Sequence, residues 1–278
     1  MVQLGGGRQL PDRRAAAPKP GDEIIRLDGV VKRFGTLEVL RGVTLTFRHG
    51  ETTAVIGRSG CGKSVLLKTI IGILRPEAGT VTVFGRDITR MGQTELEPVR
   101  LSFGMLFQGS ALFDSLDVDG NVGFLLYEHT RLPAREIREI VRKKLAMVDL
   151  EGVEAQMPAE LSGGMKKRVA LARAIAMDPH IILYDEPTTG LDPVTADTIN
   201  ELILRTQKEL KATSIVVTHD MASANKVADR IVMLHDGRII IDGTPTDIQQ
   251  SRDARVQSFI HGDASLERRA EREDGGPS

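Results

Sequence analysis

The run "TTAVIGRSGCGKSVLLKTIIGIL", residues 52–74, constrains the fold more than any other part of this chain. An apolar segment of strand length runs directly into Gly57-Arg58-Ser59-Gly60-Cys61-Gly62-Lys63-Ser64, and helical apolar spacing follows from Lys63 and Val65 to Ile73. This is the G-x-x-x-x-G-K-S phosphate loop in its required strand–loop–helix setting. The glycines let successive backbone N–H groups turn inward on a phosphate, and the helix N-terminus adds partial positive charge. Lys63 is placed to reach the β- and γ-phosphates and Ser64 to hold Mg²⁺. Cys61 fills a variable position of the loop. It is the chain's one cysteine, so an intramolecular disulfide and a multi-cysteine zinc site are both excluded.

A phosphate loop needs a carboxylate on a neighbouring strand to hold the metal. "IILYDEPTTGLD" supplies one, with apolar strand residues leading into Asp185 and Glu186. Asp185 is expected to hold Mg²⁺ and Glu186 to polarise the attacking water as general base. A second glycine turn, Ser162-Gly163-Gly164 in "ELSGGMKKRVALARA", opens another predicted helix and also presents N–H groups to an anion. One chain therefore carries two phosphate-reading loops.

The remaining pattern alternates strands and helices, which defines an α/β fold with a mainly parallel sheet. Strands are expected over "EIIRLDGVVKRF", "EVLRGVTLTF", "TTAVIG", "AGTVTVFGRDI", "LSFGMLFQ", "IILYD" and "TSIVVTHD", with a hairpin over "RIVMLHDGRIIIDG" turning at Asp236-Gly237. Helices are expected over 133–150, with Ile137, Ile140, Val141, Leu145 and Val148 on one face, and over 193–210, with Ile199, Leu202, Ile203 and Leu210 on one face. "ASANKVAD" makes a shorter one. The division is a disordered leader (1–22), a domain over 23–250 with a helical subdomain at about 91–165, and a partly disordered extension (251–278). The apolar face of "VQSFI" in that extension suits either docking on a partner subunit or covering its own domain.

A net charge of −1 gives no basic excess for nucleic acid, and no apolar run is long enough to span a membrane. The leader has no apolar core of the secretory kind. Any membrane role must come through partners.

Together, the phosphate loop, "LSGGM", "IILYDE" and "VVTHD" resemble the ATP-binding subunit of ABC transporters, over about residues 24–250. The resemblance implies a P-loop ABC ATPase domain with an antiparallel N-terminal β-subdomain and an inserted helical subdomain. It implies ATP and Mg²⁺ as ligands, and a head-to-tail homodimer in which Ser162, Gly163 and Gly164 bind the ATP held by the other chain's phosphate loop. Residue by residue, it places Phe34 on the adenine ring and Gln108 as the loop glutamine that senses Mg²⁺. It puts Asp192 in the loop crossing the dimer interface and His219 at the γ-phosphate. Met165-Lys166-Lys167-Arg168 departs from the usual Gln after the signature glycines.

"GMLFQGSALFDSLDVDGNVGFLLYEHTRLP" and "ARVQSFIHG" resemble the ATPases of Mla-type, MCE-associated lipid transport systems. That resemblance implies an MlaE-like permease, an MCE-domain protein and room for a small STAS-domain subunit, at the cytoplasmic face of the inner membrane. An importer ATPase for amino acids or another small solute shares every catalytic motif and differs mainly after Gln108. A soluble ABC ATPase of DNA repair or translation is disfavoured, because neither long coiled coils, zinc cysteines nor a second ATPase domain is present.

Overall fold

The computed structural model describes residues 18–263 and 265–266. The first 17 residues of the leader and most of the charged tail lie outside the described residues. Two sheets organise the chain. The first is antiparallel, ordered β2-β1-β4-β5, from β1 (Glu23–Phe34), β2 (Leu37–Arg48), β4 (Ala78–Val83) and β5 (Arg86–Asp87). The second is ordered β10-β9-β3-β8-β7-β6. Its strands are β3 (Thr52–Ile56), β6 (Phe103–Leu106), β7 (Ile181–Asp185), β8 (Thr213–Thr218), β9 (Arg230–His235) and β10 (Arg238–Gly243). All its neighbours pair in parallel except β9 and β10, the hairpin turning at Asp236-Gly237.

Alternation along these buried strands sorts their side chains to two faces. Val55, Ile181, Leu183, Ile215, Val217, Val232 and Leu234 share a core with the antiparallel sheet, α1 (Lys63–Ile70) and α2 (Gln93–Arg100). Leu106, Ile182, Tyr184 and Val216 face the other way. They meet α3 (Val118–His129), α4 (Ala134–Met147), α5 (Gly163–Ala174) and α6 (Pro193–Leu210).

Several boundaries differ from the sequence pattern for identifiable reasons. The first helix stops at Ile70, because Gly72 takes a positive φ of 72°. The strand expected over 78–88 breaks into β4 and β5 at Phe84-Gly85, both left-handed. Helix α2 escapes the apolar pattern: it is polar, contains Pro98 and buries only Leu96 and Val99. Those two residues pack with the phosphate-loop half, and β6 pairs with β7 in the core sheet. Within 91–165, α2 thus packs with the phosphate-loop half, and α3, α4 and the start of α5 follow β6.

The C-terminal segment is covered by its own domain. In α9 (Ala254–His261), Val256 is fully buried against Ala54, Ile56, Ile231, Met233 and Ile248, with Phe259 and Ile260 packed beside it. Of the two arrangements open for "VQSFI", the structure adopts the intramolecular one.

Candidate functional site

Parallel strands place their C-terminal ends at one edge of the sheet, where loops of distant sequence converge. The register brings Ile56 beside Thr218, Val217 beside Asp185 and Tyr184 beside Leu106. The loops that follow carry Gly57–Ser64, His219, Glu186 and Gln108. Four expected site segments thus meet at one edge.

The phosphate loop is closely packed on the sheet. Gly57 has φ +153°, and a Cβ there would stand 2.3 Å from the Leu234 carbonyl oxygen and 2.7 Å from Cys61 Sγ. No other residue fits that position without moving the backbone. Arg58, Ser59 and Gly60 are exposed, whereas Gly62 and Lys63 are buried and Val65 packs on the core. Burial pushes the Cys61 thiol up, against the lowering effect of Lys63, so it is no activated nucleophile. The Arg58 guanidinium donates to Ser258 Oγ at 3.1 Å, so α9 reaches the loop itself.

Behind the loop lies a buried charged cluster. Lys63 Nζ donates to the carbonyls of Gly57 (2.7 Å) and Arg58 (3.1 Å) and stands 3.5 Å from Glu186 Oε1. Ser64 Oγ donates to Asp185 Oδ1 at 2.8 Å. Burial raises the Asp185 carboxyl above its ordinary value despite that bond, and neighbouring Glu186 adds to the rise. Glu186 itself takes a left-handed φ of 50°, uncommon for a residue with a side chain. Its Oε2 accepts from Thr189 Oγ1 (3.1 Å) and from His219 Nδ1 (2.8 Å). A carboxylate only accepts, so Nδ1 of His219 carries the hydrogen.

Gln108 is exposed on the loop after β6, and its carbonyl accepts the buried ammonium of Lys167. Burial lowers the Lys167 pKa, while Asp185 and Glu186 counteract that fall. Lys167 therefore belongs electrostatically to the same site. The sequence signal was its departure from the usual signature, but its direction was invisible there. Thr189, which bonds Glu186, likewise carries no signal of its own inside "EPTTGLD".

The second glycine turn sits elsewhere. Ser162 caps α5 by accepting from Met165 N at 3.2 Å. Ser162 and Gly163 are exposed, and the one neighbour of a Cβ at Gly163 would be Leu191 at 4.0 Å. At Gly164 a Cβ would meet Thr195 Cγ2 at 2.8 Å. Thr195 belongs to the cap of α6, where Asp192 accepts from the N–H groups of Val194 and Thr195, each at 3.0 Å. The structure thus gathers Ser162–Gly164 with Asp192, and Val194 beside them is 77% exposed. Phe34 stands at the end of β1, half exposed, with the Lys32 ammonium 5.3 Å from its ring centroid.

The residues fit Mg-ATP. Gly57 and Gly62 leave little or no room for a side chain, a buried lysine lies at the loop's base, and the Ser64–Asp185 pair offers the hard oxygen donors Mg²⁺ prefers.

Known proteins resemble this chain over most of its length. The ABC transporter family model matches residues 40–189. The Haemophilus influenzae intermembrane phospholipid transport system ATP-binding protein MlaF is 44% identical over 241 residues, covering 87% of this chain and 91% of that protein. The probable ribonucleotide transport ATP-binding protein mkl of Mycobacterium tuberculosis is 43% identical over 256 residues, covering 92% and 71%. The dimeric ATP-binding cassette MJ0796, in a post-hydrolysis state bound to ADP and Pi, superposes with a TM-score of 0.75 at 33% identity, covering 80% of this chain and 99% of that one. The chain belongs to the ABC transporter ATP-binding family. It is an ATP-binding and ATP-hydrolysing subunit. Among the described residues no helix is long and apolar enough to cross a membrane.

Proposed function

We propose that two copies of this chain close head to tail around two ATP molecules and power a phospholipid transport complex at the cytoplasmic face of the inner membrane. The observation that carries the dimer is the separation of the two glycine turns. The phosphate loop packs with Asp185, Glu186 and His219, while Ser162 and Gly163 face outward beside Asp192 and Val194. A two-fold dimer brings each outward turn to the other chain's phosphate loop. MJ0796 being dimeric supports the arrangement.

In this mechanism Phe34 stacks on adenine, and the N–H groups of Gly57–Ser64 receive the phosphates. Lys63 exchanges its bonds to the Gly57 and Arg58 carbonyls for the β- and γ-phosphate oxygens. Ser64, Asp185 and Gln108 are the residues that would hold Mg²⁺, which when bound neutralises charge on the phosphates. Glu186 orients and polarises the attacking water as general base, and His219 contacts the γ-phosphate from the loop after β8. Ser162, Gly163 and Gly164 reach the γ-phosphate from the partner, so binding favours the closed dimer and hydrolysis reopens it.

The lipid cargo follows from MlaF, similar over 91% of its length, and from the stretch after Gln108. The mkl relative carries a different cargo in its name, so the cargo needs its own test. Replacing Glu186 with Gln is expected to leave ATP binding intact and reduce turnover by about 10²-fold or more. Normal turnover would remove Glu186 from the role of base. For the cargo, the tagged chain is recovered from gently solubilised native membranes. Co-purification of an MlaE-like permease and an MCE-domain protein, with or without a STAS-domain subunit, supports lipid transport. A permease with a solute-binding protein overturns it in favour of small-solute import.

A further inference from the structure

A buried chain of hydrogen bonds joins the helix behind Asp192 to the loop that carries His219. Asn200 on α6 is 5% exposed, and its Nδ2 donates to Ser223 Oγ at 3.0 Å. Ser223, on α7 (Met221–Val227), is 1% exposed, and its Oγ donates to Asp220 Oδ2 at 2.6 Å. A serine hydroxyl has one hydrogen, so Thr188 must be the donor in the 3.4 Å contact between its Oγ1 and Ser223 Oγ. Asp220 also caps α7, accepting from Ala222 N (3.0 Å) and Ser223 N (3.3 Å). Its own N–H donates to Thr218 Oγ1 at 3.0 Å. His219 is therefore held between two pinned residues, and its Nδ1 meets Glu186 at 2.8 Å.

This arrangement exceeds what capping α7 requires. The carboxylate of Asp220 and the backbone of α7 suffice for the cap. Asn200 adds nothing to it and leaves its own Oδ1 buried without a partner. A buried acceptor in that condition is a cost that packing alone gives no reason to keep. The Asn200 amide instead ties α7 to α6, a continuous helix whose capped end at Asp192 lies eight residues away, roughly 12 Å. Through Thr188 the same hydroxyl touches the segment that follows Glu186.

We propose that Asn200 and Ser223 are positioning residues: they make the placement of His219 against Glu186 depend on where α6 sits. Partner contact at Asp192 displaces α6 as a rigid body, and the Asn200–Ser223–Asp220 chain passes the displacement to the His219 loop. Hydrolysis is thereby tied to closure. The proposal rests on the roles given above to Glu186, His219 and Asp192.

The test is Asn200→Leu in the full chain, a change that keeps the branching at Cγ and removes the amide donor and the orphaned acceptor together. ATP affinity and thermal stability are expected to hold or, for stability, to rise, while ATP turnover falls about tenfold. Ser223→Ala gives a comparable fall, Ser223→Thr restores turnover by keeping the hydroxyl, and Asn200→Leu with Ser223→Ala loses no more than either alone. A purely structural role would lower stability and affinity along with turnover. Unchanged turnover in a folded Asn200→Leu or Ser223→Ala chain overturns the proposal, as does a fall matched by lost stability in both variants. Glu186→Gln is the control. If it is inactive while Asn200→Leu is normal, only this proposal fails, and if it hydrolyses ATP normally the underlying site reading fails.

Discussion

The two glycine turns of this chain each open a helix, in opposite surroundings. Gly57–Ser64 is wedged between strands, with Lys63 and Ser64 already bonded to the loop carbonyls and to Asp185. Ser162–Gly164 opens a helix, with Ser162 and Gly163 on the surface and the loop of Asp192 alongside. One loop is completed by its own chain and the other points away from it. An anion-binding turn is thus not a finished site. What it can do depends on which carboxylates and cations the fold brings to it.

The largest effect is expected from alanine at the first turn. Gly57→Ala forces a Cβ into the Leu234 carbonyl, costing about 2 kcal/mol of stability and abolishing measurable ATP binding. Gly163→Ala meets nothing closer than Leu191, and alanine suits the first turn of a helix, so stability holds or gains up to about 1 kcal/mol. Its ATP affinity falls far less than that of Gly57→Ala, and the main loss appears in turnover. Thermal melts, equilibrium nucleotide binding and steady-state ATPase assays separate the two. Equal loss of binding in both variants would erase the contrast.

A mixing experiment sharpens the comparison. Lys63→Ala disables one turn and Ser162→Arg the other, and each homodimer is expected to be inactive. In the mixed dimer one composite site carries both lesions and the other carries neither. Activity should return to about a quarter of wild type, since about half the dimers are mixed and each has one intact site. No recovery on mixing would mean that both turns serve the same chain.

How much of this was legible in the sequence follows the same division. The phosphate loop, Asp185, Glu186 and His219 could be read because each follows an apolar strand, and parallel strands deliver their ends to one edge. Helix α2 and the short α8 (Pro245–Gln249) were not legible, since they are polar and bury only Leu96, Val99 and Ile248. Lys167, Asn200 and Ser223 look like surface residues of amphipathic helices. Their burial comes from elements far along the chain, Gln108 for the first and the α6–α7 contact for the others. The two arrangements open to α9 could not be separated either, because an apolar face does not name its partner.

The smallest expected effect concerns the balance of stability against function at the first turn. Asp185 is buried beside Glu186, and its carboxyl titrates above the ordinary range because desolvation outweighs the bond from Ser64. Its folded value is raised above the unfolded one, so protonation favours the folded state. That contribution is fully present below the unfolded value and is lost as pH rises through the raised folded value. At neutral pH the ionised group is a net cost. Asp185→Asn keeps an acceptor for Ser64 and removes the charge, so melting at pH 7 should rise by a few degrees. The difference from wild type should shrink as pH falls through the carboxylate range. Mg²⁺-dependent turnover should be lost in the same variant. A melting temperature that instead falls at pH 7 would show that Asp185 is held by attraction to Lys63 and Lys68 more than it is penalised by burial. The first turn would then be stabilised by its charges rather than strained by them.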